Sequence, residues 1–104
     1  MKLIYKKKPI NVTVTNNPNL LKYHFQKLYY AIMIKKCNSY SSIANKQRID
    51  VVFVDEQLKI ISVKKEMHEN TIVKNDQATT AILLPLNYFE YLEVGTFFEI
   101  EDNL

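Results

Sequence analysis

The strongest constraint on the fold is a set of short apolar runs, each three to eight residues long and separated by polar or turn residues. The clearest, residues 48–55 (RIDVVFVD), is an almost continuous apolar run between charges, which is typical of a strand covered on both faces. After a short turn beginning at Asp55, residues 58–63 (LKIISV) form its expected hairpin partner. These runs predict a sheet as the main element of the fold. The other expected strands are residues 2–6, 10–15, 31–34, 71–73, 79–84 and 96–101.

Two segments depart from the β pattern and predict helix. Apolar positions recur at helical spacing over residues 19–30, with polar side chains on the other side. Asn17 followed by Pro18 is a helix-start signal. Apolar residues one turn apart over residues 87–93 favour a helical turn. The predicted fold class is therefore α+β and mainly β, a small curled sheet or barrel-like single domain over residues 1–104. It would carry one helix in the N-terminal half and a short helical turn near residues 87–93.

Composition excludes several classes of protein. The chain has 104 residues, 47% hydrophobic and 24% charged, with one glycine and three prolines, so disordered and collagen-like chains are excluded. One glycine cannot build a glycine-rich phosphate loop, and we expect Gly95 to occupy a chain reversal with positive φ. No apolar run approaches the length of a transmembrane helix, and the N-terminal residues lack the apolar stretch of a secretory signal. We expect a cytoplasmic protein without a membrane partner.

Charge is divided unevenly along the chain. Residues 1–49 contain ten basic side chains and no acidic one, whereas residues 50–104 contain four lysines and all eleven acids, which gives +10 and −7. Strands from the two halves can lie side by side and neutralise each other. Alternatively, the lysines can share one face and attract phosphates or an acidic protein.

Residues 37–55 (CNSYSSIANKQRIDVVFVD) resemble the core of the bacterial and archaeal domain-of-unknown-function 192 family. In that family Cys-x-Ser-Ile-His-Thr-Phe-Phe-Met runs into Pro-Ile-Asp-Val-Leu-Phe-Leu-Asp at the same spacing. Downstream, LKIISVKKEM resembles the family's returning strand, and ILLPLNYFEYLEVGTFFEI resembles its closing segment. The resemblance covers about residues 10–101 and implies a small β-rich, barrel-like domain without an established activity. The matching positions are Cys37, Asn38, Ser39, Ile49, Asp50, Val51, Phe53, Asp55, Leu84, Pro85, Val94 and Gly95.

Several of that family's positions differ here, its histidine among them. Its histidine falls on Ser41, its Phe-Phe-Met on residues 43–45, and its proline before Ile-Asp on Arg48. The apolar strand positions are kept. The resemblance therefore implies a degenerate member that keeps the fold and has lost any activity that depends on those polar groups.

The candidate ligand-binding residues are a polar loop beside the one cysteine and an acid in the following strand: Cys37, Asn38, Ser39, Ser41 and Asp50. If they form a site, Ser39, Ser41 and Asp50 should surround one concave surface. Cys37 has no base at a recognisable spacing, and structural burial is the competing interpretation. With two histidines and one cysteine, the sequence contains no set of three close metal ligands, so we predict no metal and no cofactor.

Three functions remain open. The first is a non-catalytic binding or accessory domain that acts through an unknown protein partner or by self-association along a strand edge. The second is a nucleic-acid-binding module that uses the tyrosine-rich basic half. The third is an enzyme with a site around residues 37–42 and Asp50. The lysines assigned to the second are Lys6, Lys7, Lys8, Lys35 and Lys36.

Overall fold

The computed structural model describes residues 1–20, 27–42 and 47–102, and within them it contains nine strands and no helix. The strands are β1 (Lys2–Tyr5), β2 (Lys8–Thr15), β3 (Ala31–Lys35), β4 (Ser39–Ser41), β5 (Ile49–Val54), β6 (Ile60–Met67), β7 (Ile72–Lys74), β8 (Thr80–Pro85) and β9 (Glu99–Glu101). Over the described ranges, no helix of a length and apolarity suited to crossing a membrane is present.

Seven of the strands form one curled sheet in the order β6-β5-β8-β3-β2-β1-β9. Neighbours are antiparallel except β2 and β3, which run parallel. The two ends of the sheet meet at one point, where Lys59 bridges Phe97 and the amide of Phe98 donates to the carbonyl of Leu58 at 3.0 Å. Beyond that point β6 pairs only with β5, and β9 only with β1. The sheet is therefore a half-barrel.

The central strands are buried on both faces, which explains their continuous apolar sequences. Along β5, Val52 and Val54 belong to the cluster inside the curl, and Val51 and Phe53 belong to the cluster on the outer face. The same alternation holds in β3 and β8. Burial on two faces removes the polar alternation that a half-exposed strand would show.

A two-stranded ribbon of β4 and β7 covers the outer face. Tyr40 of β4 is 3% exposed and Val73 of β7 is half-buried, and both pack in the outer cluster. Ser42, directly after β4, donates its hydroxyl to the carbonyl of His68 at 2.6 Å and accepts the amide of Thr71 at 2.9 Å. One buried serine thus ties the ribbon to the connection that follows β6.

The α+β prediction is wrong, because the described residues form an all-β fold. Of the helix predicted over residues 19–30, residues 19–20 and 27–30 are described and are not helical, and residues 21–26 lie outside the described part. The amide of Leu28 donates to Oε1 of Gln47 at 2.7 Å. This backbone amide therefore donates to a side chain that is distant in sequence. In a helix it would donate to the carbonyl four residues earlier.

The helical turn predicted near residues 87–93 is also wrong, because this stretch consists of turns and bends. Asn87 has a φ of 59°, outside the right-handed helical region. Its amide donates to the Asp50 carboxylate at 2.9 Å, and the amide of Glu93 donates to the Tyr5 hydroxyl at 3.0 Å. The one-turn spacing of rings thus belongs to an irregular segment that is held by tertiary hydrogen bonds.

This irregular stretch, residues 86–95, spans the open side of the half-barrel, and we name it the closing segment. On one side, Lys65 of β6 donates to the carbonyl of Phe89 at 3.0 Å. On the other, Lys8 of β2 donates to the carbonyl of Tyr88 at 2.6 Å. At its end Gly95 has a φ of 92°, as the sequence predicts, and donates its amide to the carbonyl of Ile60 at 2.9 Å. The closing segment therefore links the two halves of the chain.

Candidate functional site

Strand pairing places the ends of β2, β3 and β5 and the start of β8, with their polar residues, at one end of the half-barrel. Lys35 pairs with Thr80, Thr80 also pairs with Val54, and Ile34 pairs with Thr15. Grooves of about 400, 350 and 300 Å³ adjoin one another there. We name this surface the lysine end. Its principal lining residues are Asn16, Lys35, Lys36, Cys37, Asn38 and Thr79.

Lys35 and Lys36 line the same grooves although consecutive residues of a strand point to opposite faces. The φ of Lys36 is 54°, so the chain leaves the β conformation directly after β3. Within the described ranges, neither lysine forms an ion pair. Two acids, Asp55 and Glu56, line the largest groove, and the Asp55 carboxylate accepts two backbone amides of its own turn.

Cys37 is held by hydrogen bonds at this end. Its thiol donates to the carbonyl of Ser39 at 2.9 Å, and its amide donates to the carbonyl of Thr79 at 3.1 Å. The carbonyl of Asn38 accepts the amide of Asn75 at 2.8 Å. Three of the predicted ligand-binding residues, Cys37, Asn38 and Ser39, thus line one groove together. Ser41 lies further along β4, on the exposed side of the ribbon.

Asp50 is fully buried and accepts three hydrogen bonds. Lys65 Nζ and the amide of Asn87 donate to Oδ2 at 2.8 and 2.9 Å, and the amide of Glu66 donates to Oδ1 at 2.8 Å. Both carboxylate oxygens therefore have partners within the protein. Asp50 fastens the closing segment to β6, and its geometry is that of a structural carboxylate.

The Asp50 cluster forms at a β-bulge. Ile49 pairs with Met67 but Val51 pairs with Lys64, so the single residue Asp50 faces two residues of β6. Glu66 has a φ of 52°, and its amide points to the Asp50 carboxylate. The sequence pattern predicts that this strand ends near residue 63, because the following Lys-Lys-Glu is polar. β6 continues to Met67 because a buried carboxylate partners this polar stretch.

The structure does not bring Asp50 to the serines of the polar loop. Along β5, Asp50 shares the inner face with Val52, and it pairs opposite Leu84, which also belongs to the inner cluster. Ser39 and Ser41 lie on the ribbon that packs on the outer face. The one concave surface expected for these three polar residues is therefore divided between the two faces of the sheet.

The five lysines assigned to nucleic-acid binding fall at opposite ends of the sheet. Lys8 begins β2 and Thr15 ends it. At about 3.3 Å per residue the strand is about 23 Å long between them. Because β3 runs parallel to β2 and ends beside Thr15, Lys35 and Lys36 lie at the end of the sheet that is far from Lys8 and from the turn before it, which holds Lys6 and Lys7. The basic half of the chain does not gather these lysines in one patch.

Several lysines of β1, of β2 and of the turn between them contact or face residues of the acidic half of the chain. Lys6 Nζ lies 3.8 Å from a carboxylate oxygen of Glu93 and 5.9 Å from the ring centre of Tyr91. Lys2 stands opposite Glu101 in the β1–β9 ladder. Lys7 is exposed. Along this seam the two halves of the chain lie side by side, which was the first of the two interpretations of the charge division.

A second surface joins parts of the chain that are distant in sequence. A groove of about 260 Å³ lies between Tyr29, whose side chain is 78% exposed, and Tyr88 of the closing segment. Pro9 and Ile10 of β2 line it between the two rings. We name it the tyrosine groove. Its lining residues are Lys2, Pro9, Ile10, Asn11, Tyr29 and Tyr88.

Both walls of the tyrosine groove are held in position. The Tyr88 hydroxyl donates to the carbonyl of Pro9, and Lys8 Nζ lies 4.2 Å from the centre of the Tyr88 ring. Tyr29 packs edge-on against Tyr30 at a centroid distance of 5.3 Å. No local sequence pattern indicates this groove, because Pro9 and Tyr88 are 79 residues apart. The abundance of tyrosine was its one available signal.

No set of three histidine, cysteine, aspartate or glutamate side chains within the described part of the chain is arranged to hold a metal ion. The grooves at the lysine end and between the tyrosines offer lysine, hydroxyl, amide and aromatic groups. These groups are suited to recognising a ligand by charge, hydrogen bonds and ring contact.

Comparison with known proteins finds structural neighbours alone, since the chain matches no family model and no curated protein. A protein of Sinorhizobium meliloti 1021, described provisionally as a transcription regulator, is similar with a TM-score of 0.78 and 11% identity over 94% of this chain and 89% of that one. A protein of unknown function from Novosphingobium aromaticivorans DSM 12444 is similar with a TM-score of 0.74 and 6% identity over 95% and 82%. At these identities the comparisons establish a shared fold.

Proposed function

We propose that this protein is a small non-catalytic binding domain that holds an extended segment of a protein partner in the tyrosine groove. The observation that carries the proposal is the open groove between Tyr29 and Tyr88. Large aromatic rings contribute much of the energy in protein interfaces and lose little side-chain entropy on binding. A ring that is 78% exposed, as that of Tyr29 is, has most of its surface available to a partner.

The groove has features that suit a peptide. Pro9 and Ile10 supply an apolar surface between the rings, and Asn11 supplies an amide at the rim. Grooves lined by aromatic rings take proline-rich segments, which are already extended before they bind. Because the Tyr88 ring is held by Lys8 and by the carbonyl of Pro9, little ordering of this wall is needed on binding.

The use of the nearby lysines favours a peptide over a nucleic acid. Lys6 lies near Glu93, Lys8 donates to a carbonyl, and Lys2 stands opposite Glu101. A nucleic-acid platform needs cationic groups that are available to several phosphates in succession. The provisional description of the Sinorhizobium neighbour as a transcription regulator is compatible with the nucleic-acid alternative, and the experiment below distinguishes the two.

The roles of Cys37 and Asp50 also support a binding domain. The thiol donates to a neighbouring carbonyl, and the carboxylate has three donors. A nucleophilic cysteine would instead require a base beside it.

We further propose a cytoplasmic location and, on the resemblance of residues 37–55, kinship with the domain-of-unknown-function 192 family. The curled half-barrel sheet agrees with the β-rich, barrel-like domain that the resemblance implies, and this agreement supports the kinship.

The test selects binders for the intact protein from a displayed library of random peptides and compares two variants. Tyr29→Ala removes one wall of the groove, and Tyr91→Ala removes a ring that is similarly exposed, 72%, but does not line it. We expect the selected peptides to lose about tenfold in affinity with Tyr29→Ala, which is typical of an aromatic interface residue, and to be unaffected by Tyr91→Ala. Both affinities can be measured by fluorescence polarisation.

Two outcomes would overturn this proposal. One is a selection in which no enriched peptide depends on Tyr29. The other is tight binding of a single-stranded oligonucleotide whose affinity falls steeply with salt, in the absence of Tyr29-dependent peptides. Sedimentation velocity of the isolated protein tests the remaining possibility, that the partner is a second copy. Concentration-dependent dimers that are lost in Tyr29→Ala would identify it.

A further inference from the structure

We propose that the lysine end binds a phosphate group carried by a small polar molecule. Lys35 and Lys36 converge on the same grooves and form no ion pair within the described ranges. Two cations at adjacent positions repel each other, and an anion between them relieves that repulsion. Lysine is a common phosphate ligand, acting as a point charge with three donors.

The hydroxyl of Thr79, which lines two of these grooves, has no hydrogen-bond partner in the described part of the chain. Oγ1 of Thr79 is buried and unpaired among the described residues. The backbone of Thr79 is fixed on both sides, because its amide donates to the carbonyl of Val54 at 3.0 Å and its carbonyl accepts the amide of Cys37 at 3.1 Å. A buried hydroxyl without a partner is unfavourable. In the proposed complex this hydroxyl turns towards the groove of about 350 Å³ that Thr79 lines, and a phosphate oxygen accepts its hydrogen bond.

The acids of this end limit where the phosphate lies. Asp55 and Glu56 line the largest groove, of about 400 Å³, and their charge disfavours an anion there. Neither acid lines the two smaller grooves, which share Lys36, Cys37 and Asn38; Thr79 lines one of them and Lys35 the other, so the phosphate lies where these two grooves meet, beside Lys36. The phosphate therefore fits the smaller grooves. A hydroxyl or ammonium group elsewhere on the ligand suits the acidic wall, so a phosphate monoester of a small polar molecule fits the whole surface.

This site is separate from the tyrosine groove. Lys36 follows the end of β3, and the tyrosine groove adjoins the beginning of β2, about 23 Å away along the strand. No residue lines both surfaces. Failure of the peptide proposal therefore leaves the phosphate proposal intact, and the reverse is also true.

The experiment titrates the ¹⁵N-labelled protein with inorganic phosphate and with phosphoethanolamine at fixed ionic strength and pH, using sodium chloride as the reference. We expect saturable shifts of the amides around Lys36, Asn38 and Thr79 with at least one phosphate probe. Tighter binding of phosphoethanolamine assigns the site to a phosphate monoester, as we propose. Equal or tighter binding of inorganic phosphate assigns it to the free anion and overturns the part of the proposal that requires a carrier molecule.

Three variants make the assignment specific. Lys36→Gln should lower the affinity for the phosphate probe about tenfold, which is the usual effect of losing one charge-assisted hydrogen bond. Lys7→Gln makes the same charge change at the far end of β2 and should leave this affinity unchanged. Thr79→Val removes the unpaired hydroxyl with little change in shape. It should weaken phosphate binding and at the same time raise the midpoint of thermal unfolding of the free protein.

Two kinds of result would contradict parts of the phosphate proposal. Shifts that chloride reproduces, or that Lys7→Gln and Lys36→Gln weaken equally, would reduce the effect to general charge attraction and overturn the site. Loss of stability in Thr79→Val with unchanged phosphate affinity would assign the hydroxyl a structural role and remove it from the proposal.

Discussion

Replacing Asp50 with alanine tests whether this carboxylate is a structural fastener. The variant removes an acceptor of three hydrogen bonds and leaves the amides of Glu66 and Asn87 without that partner. At about 1.5 kcal/mol for each hydrogen bond to a charged group, the loss is about 4.5 kcal/mol. Because the Lys65 side chain is 35% exposed, water can replace part of its bond to Asp50, and the net loss is set slightly below this sum. We therefore expect the free energy of unfolding to fall by about 4 kcal/mol.

Urea denaturation followed by far-ultraviolet circular dichroism measures this quantity, with an unchanged slope as the sign of a simple stability effect. For a domain of this size the melting temperature should fall by roughly 20 °C. The matched control is Asp76→Ala, because the Asp76 side chain is 81% exposed and pairs with Lys74 at 3.3 Å on the surface. Its effect should be below about 1 kcal/mol, as for other exposed ion pairs.

A loss of less than about 1 kcal/mol in Asp50→Ala would refute the reasoning, because the amides of Glu66 and Asn87 cannot lose a fully buried charged acceptor at so small a cost. Asp50→Asn offers an independent check. It keeps the shape but replaces one acceptor oxygen with a donor that faces other donors, so about half of the alanine effect is expected. An asparagine variant as stable as the original protein would also contradict the assignment.

Ser42→Ala should destabilise the protein by about 1–3 kcal/mol in the same urea assay, because it leaves the amide of Thr71 without its side-chain acceptor. The control is Ser39→Ala at an exposed position, which should change stability by less than about 0.5 kcal/mol. Equal effects of the two serine variants would argue against the fastening of the ribbon. Gly95→Ala should cost about 1–2 kcal/mol. Apart from its chain neighbours, no atom of the described residues lies within 4 Å of an added Cβ, so only the backbone, at a φ of 92°, opposes the change. A much larger loss would mean that the site is crowded.

The strand content of the fold was largely predictable from local sequence. The apolar runs at residues 31–34, 48–55 and 79–84 coincide with β3, β5 and β8, because strands buried on both faces leave a continuous apolar signature. The helix predictions failed for a physical reason. Apolar spacing near residues 87–93 resembles a helical stripe, but the amides of Asn87 and Glu93 are used by a carboxylate and a phenol from distant strands.

The candidate sites were predictable only in part. Cys37, Asn38 and Ser39 are adjacent in sequence, and they remain together at the lysine end. Asp50 is separated from them because its side chain lies on the inner face of the sheet, whereas the ribbon that carries Ser39 packs on the outer face. Neighbouring residues of a strand point to opposite faces, so this separation depends on the strand register. The partners of Asp50 follow from a bulge and from a segment that returns 37 residues later, and no local pattern encodes either.

The sequence by itself determined most of the strands, the absence of an internal disulfide, the left-handed conformation at Gly95 and the division of charge, because each depends on residue type or on nearest neighbours. Only the tertiary structure decided which lysines are available. Lys6 and Lys8 contact the closing segment, whereas Lys35 and Lys36 lie unpaired within the described ranges at the opposite end of the sheet. The same is true of the tyrosine groove, whose walls meet only because the sheet curls and the closing segment spans its open side. Long-range register and closure set these distances, and such contacts leave no periodic trace in the chain.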